Sequence, residues 1–339
     1  MDIENRRALK EDGARALAAN PGDPRMLVLA YAGGIALMAL LATIATHIVG
    51  LRIEDTGGLR NMGLRSILST VQTVLPLASS VITLLLTCGY HSAAMKMARR
   101  QSVGPQSLLE GFRRLGPLFR LGILQSVIYL AVGFVSMYAG SIIFMMTPLS
   151  NDFMALMMPL MDSITVMTEQ ITLDAETLQA ATEALVWAIP IVLGVFLILA
   201  APLFYQYRMC LYALFDDPAR GALAAMRSSR NMMKGNRVSM FKLDLSFWWF
   251  YALEILISLI AYGDMLLPLI GISFPWPDTV SFYLFYVLSL GLQVAVYHYF
   301  LNRVNVTYAI AYEILKPETP EPTKVALGNI FDLAKDYQE

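Results

Sequence analysis

The chain has 339 residues, of which 57% are hydrophobic and 15% are charged, and its formal net charge is −1. Soluble globular proteins average about 45–50% apolar and about 25% charged residues, and the mean hydropathy of this chain is +0.56, so the composition indicates a membrane protein. The same figures exclude a disordered chain. The presence of only two cysteines excludes a disulfide-rich secreted fold, and a net charge near zero argues against nucleic acid as a partner.

The first 25 residues are polar and predict a short cytoplasmic N-terminal helix, which ends at the Asn20-Pro21-Gly22 break. A cleavable signal peptide needs a short apolar core close to the start of the chain. The first apolar run here starts at Met26 and is too long for that role. We therefore interpret it as a membrane span.

Six apolar runs are long enough to cross a bilayer, since about 20 helical residues span its hydrocarbon core. They cover 26–49, 67–89, 117–147, 184–215, 243–267 and 280–311. Pro190 and Pro202 lie inside the fourth run and predict a kink there. Strict apolar–polar alternation is absent, so helices are predicted rather than a membrane β-barrel. The fold class is thus all-α, a polytopic helical protein with a six-span bundle over 26–315.

The distribution of lysine and arginine predicts the orientation. The N-terminal segment, the segments between spans two and three and between spans four and five, the adjoining span ends and the C-terminal part together carry 22 of these residues, against three on the other side. Positive charge collects on the cytoplasmic side of membrane proteins. We therefore expect a multi-pass protein of the plasma membrane with both termini in the cytoplasm.

The segment 148–183, between spans three and four, is an insertion predicted to lie outside the cell, and it contains no lysine or arginine. Apolar residues recur at helical spacing over 153–168, which predicts an amphipathic helix on the outer face, followed by Asp174 as an N-cap. Its four methionines fit Cu(I), which prefers thioether ligands. A cap or a partner-binding surface is the favoured interpretation, because methionine is also an adaptable packing residue and no Cys or His stands beside these four.

Two further segments are predicted to be cytoplasmic. Residues 216–238 predict an interfacial helix, opened by Asp216-Asp217-Pro218 and closed by Gly235-Asn236. Its basic side chains would attract anionic lipid, at about 1 kcal/mol per cation, although any inner-membrane protein has basic loops of this kind. Residues 316–339 form a tail that begins with a Pro/Glu linker.

No motif for an enzyme, a cofactor or a metal stands out: phosphate-binding glycine loops, zinc-protease and nucleophile-elbow patterns are all absent. We therefore predict no catalytic, cofactor-binding or metal-binding residues and no enzymatic activity. The candidate for an intramembrane polar site is Glu254, which lies about 18 Å into span five. In span six, Gln293 lies at a similar depth of about 15 Å, and His298 lies nearer the surface, at about 7.5 Å. A buried carboxyl group either links helices by hydrogen bonds or marks a transport pathway.

One stretch of the sequence carries a specific pattern that runs from Ala225 to Trp249. Its characteristic residues are Ser229, Met233, Lys234, Gly235, Asn236, Phe241, Leu243, Asp244, Leu245, Ser246 and Phe247. Physically the pattern describes a corner, in which Gly235, predicted in the left-handed conformation, ends one helix and the chain re-enters the membrane, with Asp244 at the water boundary and the Trp248–Trp249 pair just inside.

This pattern resembles the bacterial membrane family catalogued as domain of unknown function 975, found mostly in Firmicutes. The segments Arg7–Asn20 and Met97–Phe112 are also similar to that family, whereas the insertion at 148–183 is longer than expected and Phe250 replaces an expected tryptophan. More remotely, the chain resembles the membrane domain attached to some glycerophosphodiester phosphodiesterases. The family has no assigned activity, so the resemblance implies no catalytic residues.

Three functions remain open at this stage. The first is a non-enzymatic protein of the cell envelope that binds lipid or a protein partner. The second is a small-solute or ion transporter, or a channel component, that uses Glu254. The third is a membrane enzyme acting on lipid, which lacks a visible catalytic group. A transporter usually shows repeats with matching broken helices, and here spans one to three do not mirror spans four to six in length or motif.

Overall fold

The computed structural model describes residues 5–55, 62–151, 153–154, 175–217, 219–269, 271–272 and 274–316. Every regular element within these ranges is helical. In chain order these are α1 (Arg6–Ala18), α2 (Pro24–Asp55), α3 (Met62–Ala98), a 3-10 turn (Pro105–Leu109), α4 (Glu110–Arg113), α5 (Leu115–Met145), α6 (Ala175–Tyr207), α7 (Cys210–Asp216), α8 (Ala222–Met232), α9 (Arg237–Leu245), α10 (Trp248–Ala261), α11 (Gly263–Leu269), α12 (Asp278–Val296), a π-helical turn (Tyr297–Leu301) and α13 (Asn302–Leu315).

Five stretches within the described residues are long and apolar enough to cross a membrane: Pro24–Ile53, Gly63–Ala98, Leu115–Met145, Val186–Asp216 and Thr279–Leu315. The pair α9 and α10 makes a sixth if the two helices form one broken span. Large apolar side chains remain exposed along these helices, as with Phe134 at 64% and Ile198 at 74%. Exposed apolar surface on this scale fits contact with lipid. The protein is therefore a polytopic all-α membrane protein, as the sequence predicts.

The region predicted as the fifth span, 243–267, contains a break near its start, where α9 and α10 meet at an angle of 61°. The break falls at Ser246 and Phe247. The Ser246 hydroxyl donates to the Leu243 carbonyl at 2.6 Å, and the Ser246 carbonyl accepts from Lys10 Nζ at 2.8 Å. The Phe250 amide donates to the Phe247 carbonyl at 2.9 Å, so the helical ladder is interrupted here and Lys10 is the partner of the Ser246 carbonyl. A second short helix, α11, follows after Tyr262.

The predicted interfacial helix is shorter than 216–238. Asp216 is the last residue of α7, and α8 begins only at Ala222, after Gly221. The Asp217 carboxylate accepts from the Ala219 amide at 3.0 Å, which is the geometry of an Asx turn rather than of a helix cap. Pro218 lies outside the described residues. Gly235 has φ +88°, which confirms the left-handed conformation predicted for it.

The core of the bundle lies at one end, which we call the basal end: the end that carries α1 and α8. The largest fully buried side chains cluster here, namely Leu9, Leu27, Val28, Tyr90, Met97, Met209, Leu214, Met233, Met240, Leu243, Val306 and Tyr312. Helix α13 packs against α1 and α3, and α8 packs against α5, α6 and α7. Towards the opposite end, α5 and α6 stay in close contact, where Gly140 lies against Val192.

Two predicted segments cannot be compared with the structure. Of the amphipathic helix expected over 153–168, only Phe153 and Met154 are described, and the Phe153 ring packs on Phe144 at 5.9 Å. Asp174 and the rest of that helix lie outside the described residues, as does the tail beyond Lys316. These expectations remain predictions.

Candidate functional site

The sequence pattern at 225–249 forms a corner that supports a break in the neighbouring chain between α6 and α7. Ser229, fully buried, donates its hydroxyl to the Gln206 carbonyl at 2.9 Å and accepts from the Met209 amide at 3.1 Å. Arg237 Nη2 donates to Gln206 Oε1 at 2.9 Å. The backbone groups left unpaired by the break are thus satisfied. This holds Arg208, the residue within the break, in a fixed place.

Arg208 forms an ion pair with Asp244, the acidic residue of the pattern. Nη2 of Arg208 lies 2.7 Å from Oδ1 of Asp244, and the two side chains are only 15% and 12% exposed. Asp244 was predicted at the water boundary, and the structure shows that its carboxylate is mostly buried within the protein. The carboxylate accepts two further hydrogen bonds, from the Tyr205 hydroxyl at 2.8 Å and from the Tyr308 hydroxyl. Its burial is possible because every oxygen is paired with a donor.

Aromatic rings enclose the arginine. The guanidinium carbon of Arg208 lies 4.5 Å from the centre of the Tyr308 ring and 5.0 Å from that of Phe204. These distances are those of cation–π contacts. The Tyr251 and Tyr308 hydroxyls are 2.9 Å apart, so α10 joins the same group. Side chains from α6, α9, α10 and α13 therefore converge on one buried charge pair.

The N-terminal helix covers the corner from the outside. Besides its bond to the Ser246 carbonyl, Lys10 Nζ lies 4.2 Å from the centre of the Phe247 ring. Partial burial, together with the neighbouring charge of Arg6, lowers the pKa of Lys10 below its ordinary value. Arg6 in turn donates to the Lys242 carbonyl at 3.5 Å. Helix α1 thus anchors to the backbone at the bend between α9 and α10.

A cavity of about 560 Å³ lies beside the ion pair at the basal end, within the range of about 300–1,000 Å³ that small-molecule sites usually have. Seven tyrosines contribute to its wall, as do the polar side chains of His91, Gln125 and Asn305 on α3, α5 and α13. The complete lining is Tyr31, Thr87, Tyr90, His91, Gln125, Tyr129, Phe204, Tyr207, Arg208, Met209, Leu211, Tyr212, Phe250, Tyr251, Leu301, Val304, Asn305 and Tyr308. The wall is therefore aromatic with a few polar groups, which suits an amphiphilic ligand.

A second space, a groove of about 430 Å³, lies on the other side of Arg208. It is lined mostly by apolar residues, and three of them are strongly exposed: Trp248 at 64%, Ile255 at 62% and Leu245 at 57%. Phe204, Arg208 and Tyr251 line both the groove and the cavity. The charged pair thus separates an aromatic chamber inside the bundle from an apolar groove on its surface.

The predicted Glu254–Gln293 pair exists only through a third residue, Tyr297. Gln293 Nε2 donates to the Tyr297 hydroxyl at 3.2 Å, and this hydroxyl donates to Glu254 Oε2 at 3.5 Å. Glu254 Oε1 and His298 Nδ1 are buried without a hydrogen-bond partner among the described residues. His298 packs against the ring of Tyr299 at 5.2 Å and takes no part in this chain. The Tyr297 ring stacks on Tyr31, a cavity residue, at 6.3 Å.

The other members of the sequence pattern divide into two groups. Met233, Leu243 and Phe247 point into the core. Phe241 and Leu245 are exposed at the groove, and Lys234 is exposed beside Gly235. Asn236 donates to the Met232 carbonyl at 2.9 Å and completes the turn.

Sequence reasoning missed Arg208, Tyr205 and Tyr308, although a signal for the first was present. Arg208 is a charged residue inside the apolar run 184–215, and such residues are rare and usually paired. The acidic partner was visible as Asp244, at the start of the next span. The tyrosines carried no such signal, because aromatic residues are common near membrane interfaces.

In the described part of the chain, no three His, Cys, Asp or Glu side chains come together as possible metal ligands. Cys88 and Cys210 are both buried and free. His47 packs on Tyr283 at 5.6 Å and His91 on Tyr212 at 5.7 Å, in different parts of the bundle.

Fold and site together define a polytopic α-helical membrane protein with a buried ion pair between a chamber and a surface groove. The chain belongs to the family described as "Protein of unknown function (DUF975)", whose model matches residues 31–318, as the motif at 225–249 predicts. No curated protein and no solved structure matches the chain.

Proposed function

We propose that the protein is a non-enzymatic membrane protein that binds a lipid at the basal end of its bundle. The polar headgroup would occupy the cavity, and an acyl chain would lie in the groove. The observation that carries this proposal is that Arg208 lines both spaces, between an aromatic polar chamber and an apolar surface. An amphiphile has this same arrangement of polar and apolar parts.

The charges favour a headgroup with little net charge. Asp244 already neutralises Arg208, and the two side chains are mostly buried. A strongly anionic headgroup would compete with Asp244 for the same guanidinium. The amides of Gln125 and Asn305, and the acceptor lone pairs that remain on the bonded hydroxyls of Tyr251 and Tyr308, offer hydrogen bonds without charge. A zwitterionic lipid such as phosphatidylethanolamine fits these properties.

We further propose that the basal end faces the cytoplasm and that the membrane is the plasma membrane. The support is the excess of lysine and arginine in the segments assigned to this end, 22 against three.

The experiment measures lipid binding by native mass spectrometry of the full chain, delipidated and titrated with palmitoyl-oleoyl phosphatidylethanolamine. Ala252→Trp fills the groove, because Ala252 lines it and is exposed. Ala131→Trp is the matched control, since Ala131 is an exposed alanine on α5 outside the groove. We expect Ala252→Trp to abolish most of the binding and Ala131→Trp to leave it intact. Equal binding by the two variants would contradict the proposal.

Transport through Glu254 is the second candidate function. It is favoured by the two buried polar atoms without a described partner, on Glu254 and His298. Proteoliposomes with a pH-sensitive dye inside would test it. If Glu254 lies on a proton pathway, Glu254→Gln folds normally and loses the flux. If Glu254 only links helices, wild type and Glu254→Gln behave alike.

A further inference from the structure

A second polar space at the basal end lies apart from the cavity and the groove. This basal pocket has a volume of about 300 Å³ and is formed where α3, α4 and the end of α7 meet. Its charged lining consists of four cations and one carboxylate: Lys96, Arg99, Arg113, Arg114 and Glu110. Such an excess of positive side chains around a concave space is the usual setting for an anion.

The single carboxylate of the lining is already occupied. Lys96 Nζ and the Ser92 hydroxyl both donate to Glu110. Burial by itself would raise the pKa of Glu110, but these two hydrogen bonds and the charges of Lys96 and Arg114 outweigh it and lower the pKa below its ordinary value. Glu110 therefore stays ionised and neutralises Lys96.

Arg99 is also paired, with acidic groups behind the pocket. It contacts Asp216 and donates to Glu313 from Nε at 2.7 Å. Lys316 Nζ binds the same Asp216 at 2.6 Å. Counting Lys316, Asp216 and Glu313 with the lining, five cations face three carboxylates, which leaves a formal charge of +2.

The uncompensated charges are those of Arg113 and Arg114. Arg114 is held in place by the carbonyls of Leu214 and Phe215, at 2.8 and 3.2 Å, and carbonyl oxygens do not cancel its charge. Arg113 is exposed, and within the described part of the chain it has no hydrogen bond or ion pair. One arginine is thus fixed and the other is free to close on a ligand.

The pocket lies where an apolar span begins. Leu115 starts α5 directly after Arg114, and the exposed side chains of Leu109, Leu115 and Phe119 flank the arginines. A ligand that joins a phosphate to acyl chains would place the phosphate on the arginines and the chains along these apolar residues. Arginine binds phosphate through paired donors in a fixed plane.

We propose that the basal pocket binds the phosphate of an anionic lipid headgroup. A lipid headgroup and a soluble phosphate would both make the arginine–phosphate contact. The apolar surface beside the pocket favours the lipid as the ligand. This site does not depend on the lipid site proposed above, which uses other residues and a headgroup of low net charge.

The test titrates the full chain in detergent with palmitoyl-oleoyl phosphatidylglycerol and measures the dissociation constant by native mass spectrometry. Arg113→Gln removes the free arginine without breaking any described contact. Arg227→Gln is the matched control, because Arg227 is an exposed cation of α8 outside the pocket. We expect Arg113→Gln to weaken binding about 5-fold, the factor to which about 1 kcal/mol per cation converts, and Arg227→Gln to change it less than about 2-fold.

Three results decide the matter. Unchanged binding in Arg113→Gln, or an equal loss in Arg227→Gln, would overturn the proposal. Displacement of the lipid by inorganic phosphate at similar concentration would show a soluble phosphate as the ligand and overturn the lipid assignment. Ala252→Trp serves as a cross-check, since it should weaken the binding of phosphatidylethanolamine and leave the binding of phosphatidylglycerol unchanged. The two proposed sites can therefore be refuted independently of each other.

Discussion

Replacing Asp244 by alanine removes one member of the buried ion pair and leaves the other member without its counter-charge. The Arg208 side chain is 15% exposed, so its charge has little access to water. Removing one partner of a buried pair costs about 3–5 kcal/mol of stability. The Tyr205 and Tyr308 hydroxyls lose their acceptor at the same time. Because the neighbouring cavity can admit water, we expect a loss towards the lower limit, about 3 kcal/mol.

The assay is reversible unfolding in mixed micelles, with the free energy of unfolding taken from a titration with denaturing detergent. Lys242→Ala is the control, since Lys242 lies on the same helix with an exposed side chain. A surface change of this kind should alter the free energy by no more than about 0.5 kcal/mol.

Removing both charges should cost less than removing one. In Asp244→Leu combined with Arg208→Met, no unpaired charge is left in the interior, and the replacements retain apolar volume. We expect the double variant to recover about 2 kcal/mol relative to the sum of the single variants, which is the coupling energy of a double-mutant cycle. If Asp244→Ala costs less than about 1 kcal/mol, or if the coupling is near zero, the pair is not buried as described.

Three further predictions concern the corner, the helix packing and the orientation. Ser229→Ala should lower the free energy of unfolding by about 1–3 kcal/mol in the same assay, because the Gln206 carbonyl and the Met209 amide lose their partner. Ser228→Ala is the control, and an equal loss in that variant would show that the effect is non-specific. Gly140→Ala should lower stability by about 1–3 kcal/mol, since its new Cβ would lie 2.7 Å from Val192 Cγ2. Gly133→Ala is the control and should leave stability unchanged, because a Cβ at Gly133 would have no atom within 4 Å. Similar losses of stability in the two variants would refute close packing at Gly140. A cysteine placed at Thr172 should react with an impermeant maleimide added outside intact cells, and a lack of reaction would contradict the predicted orientation.

The spans were predictable because they depend on a local property. A run of about 20 apolar residues is costly in water and stable in lipid wherever it occurs in a chain, so the five long helices appear close to the predicted runs. The left-handed Gly235 was predictable for a similar reason, since the conformation belongs to the residue itself.

The break in the fifth span was not predictable from its own residues. The sequence 243–267 is apolar throughout most of its length, and nothing in it demands a bend of 61°. At the bend, the Ser246 carbonyl accepts a hydrogen bond from Lys10, which is 236 positions away. A contact between such distant residues follows from packing alone.

The Glu254 region shows what can be predicted by comparing the depths of residues in neighbouring spans. Counting residues along two spans placed Gln293 opposite Glu254, and the structure does place both in one hydrogen-bonded chain. The direct partner is nevertheless Tyr297, the first residue of the π-helical turn. Counting at a fixed rise predicts the depth of a residue, but the rotation of a helix about its axis decides which side chain faces its neighbour.

By itself, then, the sequence determined that the protein crosses the membrane as helices, approximately where each span lies, and which corner carries a specific pattern, because hydrophobicity and turn chemistry act over short segments. Only the tertiary structure decided that Asp244 meets Arg208 and two tyrosines, and that the pair lies between a chamber and a groove. These contacts join residues 36 and 64 positions apart. Their formation depends on how four helices are rotated and packed, which no local stretch of sequence specifies.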